Sequence, residues 1–323
     1  MASVVDLVVL HEHPEWQKPL FSALDRRGIS FAPLDLKRAA FDVDQVPSAK
    51  LYFNQASPSA YVRSNTRAVP LALALMRSLE LAGARVLNGS GAFALELSKS
   101  AQGSLMKKLG IAHPRSLAFN DVDAACDAWS EWPALLKPEQ GGSGARMYLL
   151  QSKHELRRLL RDQPELWTPD NLLLLQEHFD VDAERGIVRM EFLGDELLYA
   201  MRVVSHGAFN LCPSEMCNPE GGGDSHCEVP ERKPTKPVEF FPYKEVPPEA
   251  VASGLSIVRA GGLDVAGIEY LEAKDGRLVF YDVNANSNLR PAVAQAFGFD
   301  PFERVVDYLV SELNRGAARG SST

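Results

Sequence analysis

Gly267-Ile268-Glu269-Tyr270-Leu271-Glu272, then Lys274-Asp275-Gly276, then Leu278-Val279-Phe280-Tyr281-Asp282-Val283-Asn284-Ala285-Asn286 read together as two short strands joined by an Asp-Gly hairpin. Side chains alternate faces along a strand, so Asp282 and Asn284 share one side. Glu269 joins them wherever the register between the strands allows. Two carboxylates and one amide oxygen on one face are hard oxygen ligands, the set Mg²⁺ takes when phosphates already hold it. The solvated face of an ordinary hairpin would carry the same residues. Here the neighbours are apolar, and charged groups in a largely buried strand pair need a partner, for which a cation suffices.

Working outward, the 323 residues are enough for about two or three domains with a substantial core. A formal charge of −8 without basic clusters argues against a nucleic-acid binder. No apolar run is long enough to span a bilayer, so no membrane partner is expected. The first strand, residues 4–10, lacks the basic flank and cleavage site of a signal peptide, and a cytoplasmic location is expected. Four cysteines in a chain of this length do not make a disulfide scaffold.

Strand and helix alternate over residues 1–88: strands at 4–10, 30–34, 51–54 and 85–88, with helices at 19–27 and 67–82. This predicts a small parallel sheet covered on both faces. A helix is predicted over 93–109, strands at 133–137 and 146–150, a helix at 153–160 and a strand at 172–177. Two further strands, 186–192 and 196–204, turn at Gly194-Asp195. Residues 205–248 hold Gly221-Gly222-Gly223 and three of the four cysteines, and read as a long irregular excursion. Cys212, Cys217, His226 and Cys227, with His206 nearby, lack the paired spacing of a zinc site. Helices at 248–261 and 301–313 flank the hairpin, and 316–323 reads as a disordered polar tail. His11 and His13 follow the first strand, where α/β sheets often bind ligands, although a solvated loop would carry them equally well.

Between the strands at 133–137 and 146–150 lies Lys137-Pro138-Glu139-Gln140-Gly141-Gly142-Ser143-Gly144-Ala145-Arg146. Glycines let backbone N–H groups approach a phosphate, and they suit a lid. The spacing is neither a Walker A loop nor a dinucleotide fingerprint. Loop, the strand ending Leu175-Gln176-Glu177, and acidic hairpin follow one another as in the ATP-grasp superfamily, and the chain resembles its RimK-like, glutathione-synthetase-like branch of carboxylate–amine ligases. The resemblance covers about residues 86–313 and implies an α/β (α+β) fold. A small N-terminal α/β domain (1–88) would precede a two-lobed ATP-grasp fold, with a small lobe at 89–175 and a C-terminal lobe at 176–315.

The resemblance also implies roles. Lys99 and Lys137 would bind the nucleotide phosphates, with Ser98 in place of the usual acidic residue before the first lysine. Gly141, Gly142, Ser143 and Gly144 would form the lid. Gln176, Glu177, His178 and Phe179 resemble the adenine-binding hinge. Arg189 and Arg202 would face the reacting phosphates, and Glu269, Asp282 and Asn284 would hold the metal. Three departures stand out. Ile187 occupies the position of a ribose-binding acid, leaving Asp180, Asp182 or Glu184 for that contact. Asn284-Ala285-Asn286-Ser287-Asn288 replaces an Asn-x-x-Pro-Gly ending, and Asn210 alone represents an Arg-Ser-Asn element. Arg290 and Arg63 are candidates for a substrate carboxylate. The implied cofactors are ATP and Mg²⁺, with Mn²⁺ as its substitute. The implied partners are a carboxylate and an amine, amino acids or peptides, and a second copy in a homodimer. Two rivals share the same nucleotide machinery: an ATP-grasp kinase acting on a hydroxyl, and a nucleotide-binding module without turnover.

Overall fold

The computed structural model describes residues 5–44, 49–142, 144–180, 182, 184–205, 238–287 and 289–320, the last five by backbone alone. Ser143, Asn210, Asn288 and the cysteine-bearing stretch with Cys212, Cys217, Cys227, His206 and His226 lie outside the described residues. Among the described residues, no helix is long and apolar enough to cross a membrane.

Three sheets organise the chain. The first is β1 (Leu7–His11), β2 (Phe31–Asp35), β3 (Leu51–Gln55) and β4 (Val86–Leu87), in order β2-β1-β3-β4 and all parallel. Helix α1 (Pro14–Arg26) starts earlier than the periodicity predicts, because the His13 imidazole caps it by accepting the Trp16 N–H and Pro14 fits the first turn. A 3₁₀ turn at Pro58–Arg63 and helix α2 (Ala68–Leu81) follow β3, and α2 covers one face of the sheet.

The predicted helix over 93–109 is two helices, α3 (Ser90–Leu97) and α4 (Lys99–Lys108). Ser98 breaks it: its backbone is extended, with φ −123°, and its hydroxyl accepts the Ala101 N–H as an N-cap. Serine competes well for such a position, and apolar periodicity does not reveal that choice.

The second sheet is antiparallel: β5 (Ser116–Phe119), β6 (Ala134–Pro138), β7 (Tyr148–Leu150) and β8 (Leu173–Glu177), in order β5-β8-β6-β7. It packs on α5 (Val122–Ala128) and α6 (Lys153–Asp162) around a core that includes Trp129. β5 and α5 are too short for a clear sequence period.

The third sheet contains β9 (Ile187–Leu193), β10 (Glu196–Val204), β11 (Glu239–Pro242), β12 (Val265–Glu272) and β13 (Leu278–Asn284), in order β11-β10-β9-β12-β13. β11 corrects the reading of 205–248 as wholly irregular: Glu239–Pro242 pairs antiparallel with β10. Helix α7 (Pro248–Gly261) covers one face, where Met190, Phe192 and Ile268 are buried. The short α8 (Pro291–Ala294) precedes α9 (Pro301–Gly320), which returns to pack beside α1, where Glu303 meets Arg26 and Asp307 meets Arg27. α9 runs seven residues past the predicted end at 313, through part of the expected tail, where Ala317-Ala318-Arg319 favour helix.

Asn88 helps join the first sheet to the third. Asn88, with φ +49°, accepts the Asp264 N–H at 2.7 Å on its side-chain oxygen and gives its own backbone N–H to the Asp264 carboxylate at 2.8 Å. Asparagine tolerates this left-handed geometry better than most residues.

Candidate active site

The hairpin register settles where Glu269 points. Glu269 lies directly opposite Asp282 on β13 and opposite Arg189 on β9. Residues in register share a face, so Arg189, Glu269 and Asp282 form a charged row across three strands. The next row on that face is Glu191, Gly267 and Asn284.

Arg189 is held from three sides. It donates to Glu191 at 2.6 Å, to Glu269 at 2.7 Å and to the Ser287 hydroxyl at 3.2 Å. Ser287 in turn donates to the other Glu191 oxygen at 2.5 Å. Burial disfavours the guanidinium charge, but the Glu191 and Glu269 carboxylates outweigh it and raise its pKa. Gly267 leaves the room: a Cβ there would sit 2.1 Å from Arg189 Nη2. Neither Glu191, fully buried, nor Ser287 was singled out in the sequence: alternation along β9 puts Glu191 on Arg189's face, whereas only the fold brings Ser287 to it.

Burial pushes the Glu269 carboxyl up, and the facing Asp282 pushes it further, against Arg189 and the Tyr281 hydroxyl. Asp282 goes the other way: burial would raise its pKa, but the Lys99 ammonium outweighs that and lowers it. Lys99 at the start of α4 pairs with Asp282. The Asn284 amide donates to Asp282 at 3.2 Å and to the Gly267 carbonyl at 3.1 Å. Two crowded carboxylates and an amide, already drawing cations from two sides, are a donor set that fits a divalent cation.

Lys137, on β6, brings the second charge. Burial and then the nearby Lys99 lower its pKa to about 8, and its ammonium donates to Gln176 at 2.7 Å. The next carboxylate, Glu139, reaches back to α4, taking the Ser98 hydroxyl at 2.6 Å and the Ser100 N–H at 3.0 Å. A Cβ on Gly142 would sit 3.1 Å from the Ser59 Cβ, so the glycine loop lies close against the 3₁₀ turn that follows β3.

Arg202 is a correction. It stands opposite Val188, one position along from the Arg189 row, so alternation sends it to the other face. There it donates to Glu272 at 2.8 Å and lies over Tyr243 at 4.3 Å. The structure therefore separates it from Arg189 and the carboxylates.

The remaining predicted residues scatter around this centre. Gln176 is buried beneath Lys137, whereas the Glu177 carboxylate accepts the Arg115 N–H at 3.1 Å. His178 and Phe179 continue that strand end, and burial lowers the His178 pKa. Asp182 caps the Glu184 N–H at 2.9 Å, Asp180 pairs with Lys274 at 2.9 Å, and Glu184 is exposed. Gly144 lies with φ +71° at the end of the loop. Arg290 lies over Phe240 at 3.5 Å. Arg63 spends its terminal nitrogens on Glu12 and, at 3.1 Å, on Ser59. His11 and His13 are buried, at 3% and 5% exposure, which corrects the solvated-loop alternative. Among the described residues, no group of three or more His, Cys, Asp or Glu side chains forms a metal cluster.

No family model matches the chain. A curated relative, a probable alpha-L-glutamate ligase of Haemophilus influenzae (strain PittEE), is 25% identical over 309 residues, covering 91% of this chain and 94% of that protein. Among solved structures, a RimK domain ATP-grasp protein from Sphaerobacter thermophilus DSM 20745 superposes with TM-score 0.67 at 16% identity, over 94% of this chain and 98% of that one. The ATP-grasp ligase PsnB, complexed with minimal precursor, Mg and ADP, gives TM-score 0.64 at 18% identity, over 97% of this chain and 99% of that one.

Proposed function

We infer that this chain, a member of the ATP-grasp superfamily, is an ATP-dependent ligase that joins a carboxylate to an amine and releases ADP and phosphate. The observation that carries this reading is the row Arg189–Glu269–Asp282, met from the other lobe by Lys99 and Lys137. Such a site can neutralise a triphosphate from two sides.

Glu269, Asp282 and Asn284 would hold Mg²⁺, which draws charge from the γ-phosphate when bound. Lys99 and Lys137 bind the phosphates and hold them in line. Arg189, rather than Arg202, stabilises negative charge as the γ-phosphoryl group moves to a carboxylate oxygen. The bond to the β–γ bridging oxygen breaks, ADP leaves, and an acyl phosphate remains. An amine attacks its carbonyl, the C–O bond to phosphate breaks, and the nitrogen gives up a proton. The strand end from Gln176 to Phe179 receives the nucleobase. Arg290 takes a substrate carboxylate, while Arg63, already engaged, braces the neighbouring wall. An amino acid or short peptide suits the carboxylate, given a relative named for glutamate and a fold neighbour solved with a precursor peptide.

Hydroxylamine as a surrogate amine tests the chemistry. With Mg²⁺-ATP and a panel of amino acids and peptides, hydroxamate is expected to accumulate in step with ADP. ADP accompanied by a stable phosphorylated product and no hydroxamate would instead establish the kinase.

A further inference from the structure

Glu139 is buried, with 4% exposure, and lies two residues beyond Lys137. Its carboxylate grips the first turn of α4 around Lys99. One oxygen accepts the Ser98 hydroxyl at 2.6 Å and the Ser100 hydroxyl at 2.5 Å, and the Ser100 N–H reaches both oxygens at 3.1 and 3.0 Å. Its backbone carbonyl takes the Lys99 N–H at 3.4 Å, and its own N–H is fixed to the Leu172 carbonyl at 3.2 Å. The helix is ten residues long, and an anion at its start is favoured by both the unpaired N–H groups and the dipole. The carboxylate and carbonyl contacts link the β6 end, which carries Lys137, to the helix start, which carries Lys99, while the N–H ties Glu139 to the residue before β8.

We propose that Glu139 is a positioning residue that sets the spacing of Lys99 and Lys137, and thereby the affinity for nucleotide phosphates. The inference rests on the nucleotide reading above. Glu139 touches neither lysine's ammonium in this arrangement. It acts by fixing where the Lys99 side chain starts relative to the strand that carries Lys137. Gln at this position keeps the size but replaces a charged acceptor with an amide whose NH₂ faces the Ser98 and Ser100 donors.

The test is Mg²⁺-ADP affinity in a double-mutant cycle of Glu139→Gln and Lys99→Met. Glu139→Gln alone is expected to weaken binding about tenfold, as loss of a charged cap does, and to add little once Lys99 is gone. Equal weakening with and without Lys99 overturns the proposal, since the effect then bypasses that lysine. If Glu139→Gln does not fold, Ser100→Ala probes the same contact, with about threefold weakening expected from one lost hydrogen bond. That loss should again vanish in Lys99→Met, and its persistence there overturns the proposal. An unsubstituted protein that does not bind Mg²⁺-ADP overturns the nucleotide reading, and this inference with it. Binding by that protein with an additive cycle overturns the positioning role alone.

Discussion

Asp282→Asn is expected to lower Mg²⁺-dependent ADP formation by about 10²–10³-fold, the scale of losing one preorganised charge at a reacting centre. Asp282 is the carboxylate on which the row meets Lys99: Lys99 pairs with it, Glu269 faces it across the hairpin and the Asn284 amide donates to it. The amide keeps the shape but removes one of the two charges that would hold the metal. The fold should survive. Lys99 loses its counter-ion, yet the repulsion between Asp282 and Glu269 disappears at the same time. Circular dichroism should therefore be unchanged while activity collapses. Full activity in this variant would remove Asp282 from the site.

Gly267→Ala should carry a large stability cost. A Cβ at this position would lie 2.1 Å from Arg189 Nη2 and 2.6 Å from Cζ, so the guanidinium must leave its slot. Glu191 and Glu269 would then be buried without their cation, as would the Ser287 hydroxyl that bridges Glu191 and Arg189. Breaking one side of a buried ion network costs about 3–5 kcal/mol. Urea unfolding should show a loss of that size with an unchanged slope. A loss below about 1 kcal/mol would mean that Arg189 finds another seat and that its three-sided grip is not what fixes it.

The hairpin was legible from sequence because alternation alone puts Asp282 and Asn284 on one face, and the Asp-Gly turn limits the register open to Glu269. Lys137 was legible for a similar reason, as a charge ending an apolar strand before glycines. Arg202 was not. A shift of one position along β10 reverses its face, and no feature of the sequence fixes the β9–β10 register to that precision. Ser287 and Glu139 were missed because their meaning is a partner 98 or 41 residues away, whereas Glu191 stands two residues from Arg189 on one strand and alternation could have found it. The break at Ser98 was hidden inside an apolar period that runs through both helices, while β11 fell within a stretch rich in glycine and proline. Periodicity finds elements. It does not find which buried charges meet.

The most direct test of the central claim is calorimetry of Mg²⁺-ADP binding at pH 7 and pH 9. Lys137, with its pKa near 8, is mostly protonated at the lower pH and mostly neutral at the higher one. Bound phosphates favour its charged form, so affinity should be highest below pH 8 and fall as pH rises through that value. Lys137→Arg, permanently charged, should flatten the dependence. Binding that fails at both pH values with the protein folded, or that ignores pH in the unsubstituted protein, would contradict a nucleotide site built on Lys99, Lys137 and the Arg189–Glu269–Asp282 row.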